Sequence, residues 1–167
     1  LSRRERLCEA AARSGQLEEL KVLRADGWPW DRDTCSAAAL GGHLEVLQWL
    51  RTNNCPWDEV TRRAAARGGH LEVLQWARAN GCPWDAGTCM YAAASGGHLE
   101  VLHWARANDC PWDVHTCSGA AYGGHLEVLQ WARANGCPWD GWTCKYAARN
   151  AHSKLLSWAQ ANGAPKF

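Results

Sequence analysis

This 167-residue sequence has almost no net charge: 18 Lys and Arg stand against 17 Asp and Glu, leaving +1. A balance that close exerts no long-range pull on nucleic acid or on an anionic membrane, so neither is expected as a partner. No apolar run approaches 18 residues, and no segment is expected to span a bilayer. Leu1 to Arg6 is polar and basic with no apolar stretch behind it, unlike a secretory leader. Cys-x-x-Cys pairs are missing, and with them the usual zinc spacing. Also missing are a nucleophile elbow, a metalloprotease helix motif and an isolated acidic pair, so no enzyme is expected and no cofactor or metal. Residue 1 is not Met and the last residues, Ala164-Pro165-Lys166-Phe167, open another period of the pattern described next. A fragment of a longer array is the expectation.

What the sequence does have is self-similarity. Its six prolines form one series: Pro29, Pro56, Pro83, Pro111, Pro138 and Pro165, at steps of 27, 27, 28, 27 and 27. Trp49, Trp76, Trp104, Trp131 and Trp158 form a second series, with Val22 one period earlier. His43, His70, His98, His125 and His152 form a third, with Gln16 in the leading slot. A recurrence of this length marks a repeat architecture. Six units follow, at about 1–27, 28–54, 55–81, 82–109, 110–136 and 137–163, read as one domain over 1–167.

Each period reads as two helices. Asp58 precedes an Ala-rich stretch, Glu59 to Arg67, and its carboxylate can cap the free amides of a first turn. Gly68-Gly69 supplies the left-handed stop. Leu71, Val73, Leu74, Trp76 and Ala77 give a second helix its apolar face, and Asn80-Gly81 ends it. Cys82 before Pro83 is pushed into extended backbone, which turns the chain into the next unit. Helices of about ten residues are unstable alone in water, so the units must stack. A fully buried Trp hides ~150–250 Å², or ~4–6 kcal/mol gross as an upper bound. Two Trp columns are therefore expected to hold neighbours together. The outer units differ as solenoid caps do: Arg3, Arg4, Glu5, Glu9 and Arg13 on the leading helix, and Asn150-Ala151 and Ser153-Lys154 in place of Gly-Gly and Leu-Glu. The fourth unit has one extra residue near Cys89-Met90-Tyr91-Ala92-Ala93-Ala94, where a π-bulge or a longer turn is expected.

Gly-His-Leu-Glu-Val-Leu is similar to the start of the second ankyrin helix. Gly81-Cys82-Pro83-Trp84-Asp85 resembles the ankyrin stretch Gly-Ala-Asp-Val-Asn, and the paired Ala of the first helix also matches. The resemblance covers all six units. It implies an all-α solenoid of six stacked helix–turn–helix repeats, about twelve helices, joined by short right-angle loops. Two departures stand out. The period is 27 residues rather than ~33, the shortfall lying where an ankyrin repeat builds its β-hairpin finger, and Thr-Cys replaces the start of Thr-Pro-Leu-His. No projecting fingers are expected, which moves the contact surface onto the first helices and short loops.

The polar columns read as structure. Stacked helices lie ~10 Å apart, whereas one zinc needs nitrogens at ~2 Å, so the histidines cannot share an ion and are expected to hydrogen-bond the turn. Cys55, Cys82, Cys110 and Cys137 precede proline; Cys8, Cys35, Cys89, Cys117 and Cys144 lie on first helices, with Arg62 in the remaining slot. They read as small buried thiols, reduced in an intracellular compartment, and the Cys-Pro pairs need no haem to explain them. The repeated Gly-Gly lacks the strand and Lys of a phosphate cradle.

The slots that vary between units are free of stacking duty. On the first helices they are Arg32, Asp33, Ser36 and Leu40; Glu59, Arg62, Arg63 and Arg67; Met90, Tyr91 and Ser95; His115, Ser118 and Tyr122; and Trp142, Lys145, Tyr146 and Arg149. Tyr, Trp, Arg and Met dominate interface cores, and all three tyrosines lie in this set. The expectation is a monomeric, non-enzymatic scaffold that binds a protein partner through Arg32, Asp33, Leu40, Arg63, Arg67, Met90, Tyr91, His115, Tyr122, Trp142, Lys145, Tyr146 and Arg149. The alternative is a spacer segment of a longer array with no partner of its own.

Overall fold

A computed structural model of the chain describes residues 5–83, 90, 92 and 94–167. Every regular element among them is an α-helix, and no strand or hairpin finger occurs among the described residues. The chain divides into two compact units, Leu1–Trp84 and Asp85–Phe167. In the first lie α1 (Glu5–Arg13), α2 (Leu17–Ala25), α3 (Arg32–Gly41), α4 (Leu44–Thr52), α5 (Glu59–Gly68) and α6 (Leu71–Ala79). In the second, helical residues 94–96 precede α7 (Leu99–Ala107), α8 (Val114–Gly123), α9 (Leu126–Ala134), α10 (Gly141–Arg149) and α11 (Ser153–Ala161). The extra residue of the fourth repeat and the bulge expected there lie outside the described residues, as do Trp84, Asp85, Cys89 and Tyr91.

The expected caps are in place. Asp58 Oδ1 accepts from the Val60 amide at 2.9 Å, Asp113 from His115 at 2.9 Å and Asp140 from Trp142 at 3.0 Å. Asp31 does the same for Asp33 at 2.9 Å, and the Thr34 hydroxyl reaches back to the Asp31 amide at 3.3 Å, closing a capping box. α3, α5 and α8 stop at a left-handed glycine, with φ of 76° at Gly42 and 75° at Gly69 and Gly124, whereas after α10 the left-handed residue is Ala151 at φ 60°. At the end of every second helix but α2 an Asn side chain donates to the Trp carbonyl four residues earlier, as Asn80 does to Trp76 at 2.9 Å.

Within the first unit α1 packs on α3 and α3 on α5; within the second α8 packs on α10. Each second helix lies on its own first helix, α2 on α1, α4 on α3, α6 on α5, α9 on α8 and α11 on α10. The core is small and aliphatic. Four positions before the His slot stand Ala12, Ala39, Ala66, Ala94 and Ala121, and four after it Leu20, Leu47, Leu74, Leu102 and Leu129, all buried. Eight before it stand Cys8, Cys35 and Cys117, also buried.

Three expectations need correction. The histidines do not serve their own turn. His70 Nε2 donates to the Leu40 carbonyl of the preceding repeat at 2.9 Å, and His43, His125 and His152 do likewise to Arg13, Ser95 and Tyr122 at 3.0, 2.9 and 3.1 Å. Cys55, Cys82 and Cys137 also reach back, to the carbonyls of Asp31, Asp58 and Asp113 at 3.3, 3.3 and 3.4 Å. The described tryptophans of the two columns are half-buried rather than fully so, which lowers their share of the stacking energy, and their pairs with one another fall inside one repeat: Trp30 with Trp49 at 5.6 Å, Trp57 with Trp76 at 5.7 Å. What crosses between repeats at that edge is arginine and, in the second unit, His103, whose ring lies 4.7 Å from that of Trp131. Arg51 lies 4.4 Å over Trp57 and donates to the Cys55 carbonyl; Arg133 lies 4.3 Å over Trp139 and donates to Cys137. The third correction is Met90. Counted back from His98 it stands eight residues before the histidine, in the slot of Cys117, and it is 0% exposed.

Candidate functional site

The variable slots of the first unit sit on α3 and α5. Arg32 is exposed, and its guanidinium lies 3.3 Å from Asp58 Oδ2, the cap of the next first helix. An ion pair this open contributes little to stability. Asp33 and Leu40 are half-buried, as is Arg63, while Arg67 is exposed. Arg62 lies in the buried cysteine column at 0% exposure. A charged residue in that slot cannot be a surface contact.

In the second unit, Met90 and Ser118 are buried and therefore leave the exposed set; Tyr91 lies outside the described residues. His115 and Arg149 are exposed. Four predicted residues are brought together. Tyr122 of α8 meets Tyr146 of α10 edge-to-face at 5.5 Å, and Tyr146 meets Trp142 at 5.2 Å. Lys145 Nζ lies 4.6 Å from the Trp142 ring. Tyr122 is 49% and Trp142 37% exposed, so the run of rings is accessible along one edge. Its position is fixed from below: the Tyr122 carbonyl accepts both Asn150 Nδ2 at 2.9 Å and His152 Nε2 at 3.1 Å.

Sequence reasoning missed Phe167. Its ring lies 4.8 Å from Trp142 and 3.6 Å from Lys145 Nζ, so the ammonium is held between two aromatic faces. The signal was available: Phe167 stands one 27-residue period after Asp140 and is the chain's single Phe. Ala164, Lys166 and Phe167 also border a hollow of about 600 Å³ with Cys144, Lys145, Ala148, Leu156 and Gln160. Such a surface offers ring faces and cations together, which suits apolar and acidic groups on a peptide or protein.

The thiols differ: a hydrogen bond with Cys117 holds the Cys137 thiol below its ordinary value, whereas four others are raised. Burial pushes the Cys8 and Cys144 thiols up, and at Cys35 and Cys117 a hydrogen bond to a neighbouring cysteine, Cys55 and Cys137 respectively, acts with burial in the same direction. No group of three or more metal-ligating side chains occurs among the described residues.

Residues 62–106 match the family model described as ankyrin repeats in many copies. The fold is similar to the crystal structure of the human ASB11 ankyrin repeat domain, with 19% sequence identity and a TM-score of 0.66, covering 94% of this chain and 83% of that one. No curated protein matches the sequence. Residues 62–106 thus match ankyrin repeats in sequence, and the chain is similar in fold to an ankyrin repeat domain across the share that the structural comparison covers.

Proposed function

We propose that this chain is a non-enzymatic protein–protein interaction module that takes its partner on the exposed edge of its first helices. Ankyrin repeats generally mediate protein–protein contacts, and without hairpin fingers the first helices and loops are the surfaces left to do so. The observation that carries the reading is the run Tyr122–Tyr146–Trp142, three rings in sequence contact with exposed faces on two adjacent helices. Rings in this number exceed what capping or stacking requires, and Tyr and Trp are the usual anchors of interfaces. Lys145 and Arg149 on the same helix would pair with acidic groups of the partner; His115, and in the first unit Arg32, Asp33, Leu40, Arg63 and Arg67, would extend the footprint. Buried Met90 is not part of it. Reduced thiols suit an intracellular setting for the partner as well.

Affinity capture with mass spectrometry, run with the wild-type chain beside Tyr122→Ala/Trp142→Ala/Tyr146→Ala, tests the reading. Loss of one aromatic anchor costs about 2 kcal/mol or more, roughly thirtyfold in affinity, so the variant should lose the enriched partner while its helicity stays unchanged. A partner retained at full strength rules out this face, and enrichment of nothing above background supports the spacer alternative.

A further inference from the structure

Within each compact unit, one joint between repeats brings two cysteines together. Cys35 on α3 meets Cys55 in Leu1–Trp84, and Cys117 on α8 meets Cys137 in Asp85–Phe167, each pair 20 residues apart. All four are fully buried. The pairs are built alike. Cys35 Sγ lies 3.8 Å from the Cys55 carbonyl oxygen, and Cys55 Sγ donates to the Asp31 carbonyl at 3.3 Å. Cys117 Sγ lies 3.9 Å from the Cys137 carbonyl oxygen, and Cys137 Sγ donates to the Asp113 carbonyl at 3.4 Å. Asp31 and Asp113 cap the helices that carry Cys35 and Cys117. Each sulfur thus reaches the other's segment of backbone, and a hydrogen bond joins the two thiols directly. Side chains that converge in this way are what a disulfide requires. At the same spacing in other repeats stand Cys8 and Trp28, Arg62 and Cys82, and Cys144 and Ala164. Packing in these slots therefore does not demand sulfur on both sides.

We infer that Cys35–Cys55 and Cys117–Cys137 are oxidation sites, where a hydroperoxide converts each thiol pair into a disulfide that staples two neighbouring repeats. With hydrogen peroxide the chemistry balances in two steps. One sulfur attacks a peroxide oxygen; the S–O bond forms as the O–O bond breaks, and the departing hydroxide takes the thiol proton and leaves as water. The partner sulfur then attacks the sulfenic acid; the S–S bond forms as the S–O bond breaks, and hydroxide leaves with the partner's proton as a second water. The pair gives up two electrons and two protons, and the peroxide takes both. In the second unit Cys137 is the attacking sulfur, because its hydrogen bond with Cys117 favours the thiolate, and Cys117 stands beside it to resolve the intermediate. Both sulfurs are buried, so the peroxide reaches them when the joint opens locally, and closure brings them back together. The disulfide then holds the joint shut. Between Cys117 and Cys137 it also fixes the joint over which Tyr122 meets Tyr146. A small dithiol reverses the step by exchange.

Hydrogen peroxide on the full, reduced chain at low protein concentration provides the test. After a timed exposure in native buffer, the remaining thiols are alkylated and the unreduced peptides are sequenced by tandem mass spectrometry. Two intramolecular links should dominate, Cys35 with Cys55 and Cys117 with Cys137, each lighter than its two thiols by two hydrogens. The oxidised chain should melt roughly 5–10 °C above the reduced one, and dithiothreitol should cancel the gain. Cys55→Ala should abolish the first link and leave the second, and Cys137→Ala should do the reverse. Intramolecular links that join other cysteines in preference overturn the inference. So do pairs that stay reduced in the folded chain and react only after urea unfolds it, oxidation that runs to sulfinic acid without a link, or an oxidised chain that melts no higher.

Discussion

Replacing Gly42 by Ala separates the two demands that the repeat makes on its second glycine. The first is backbone. Gly42 sits at φ 76°, and a side chain there costs about 1–2 kcal/mol. The second is space. The new methyl group would lie 2.6 Å from His70 Cε1 and 2.8 Å from its Cγ, so the ring must shift. Overpacking of this kind costs about 1–3 kcal/mol. A displaced ring also loses the 2.9 Å bond to the Leu40 carbonyl, worth about 0.5–1.5 kcal/mol. The sum is about 2.5–6.5 kcal/mol. Gly81→Ala is the control: φ is 81° there, but nothing lies within 4 Å of the added carbon, so only the backbone cost applies. Urea unfolding followed by circular dichroism should show Gly42→Ala less stable than Gly81→Ala by about 1.5 kcal/mol or more. His70→Ala removes the ring, so in its background the gap between the two glycine variants should close. Equal losses at the two glycines, or a gap that survives without the ring, would refute the packing argument.

Four further outcomes are expected. Asn54 and Asp109 stand at φ 63° and 58° in the slot that other repeats fill with Gly27, Gly81, Gly136 and Gly163, so Asp109→Gly should raise stability by about 0.5–1 kcal/mol in chemical denaturation. Removing a cap with Asp113→Ala should lower it by about 0.5–2 kcal/mol, read the same way. A thiol reagent added to the native chain should modify half-exposed Cys144 ahead of buried Cys8, Cys35 and Cys117, with peptide mapping to identify the adduct. The Cys8 and Cys35 thiols are held above the ordinary value of 9.0 in the fold, so the stability linked to them is full below pH 9 and is lost as pH rises; melting temperature should fall as pH is raised past that value.

Much of the fold could be read from the sequence because each period punctuates itself. Asp58, Gly69 and Asn80 each act within a few residues of the backbone groups they satisfy, so their roles needed no tertiary information. The His column could not be read this way. His70 bonds a carbonyl 30 residues earlier, in a neighbouring repeat, and nothing local distinguishes that from a bond to its own turn. Met90 misled for a related reason: read forward from Cys89 it falls in a variable slot, while the packing counts back from His98. Of the candidate site, the ring run was legible because Tyr122, Trp142 and Tyr146 break the consensus. Phe167 stood out only as a single Phe one period after Asp140; its contact with Trp142 was not legible, since that depends on where the chain turns after α11.

The imidazole ties described above have a further consequence. A backbone carbonyl can only accept, so in each tie the Nε2 atom must carry the hydrogen, and that hydrogen is shielded as long as the joint stays shut. Every seam made this way inside either unit therefore carries its own built-in reporter. The imidazole protons of His43, His70, His125 and His152 would record, by how slowly each trades with solvent, the order in which neighbouring hairpins part company.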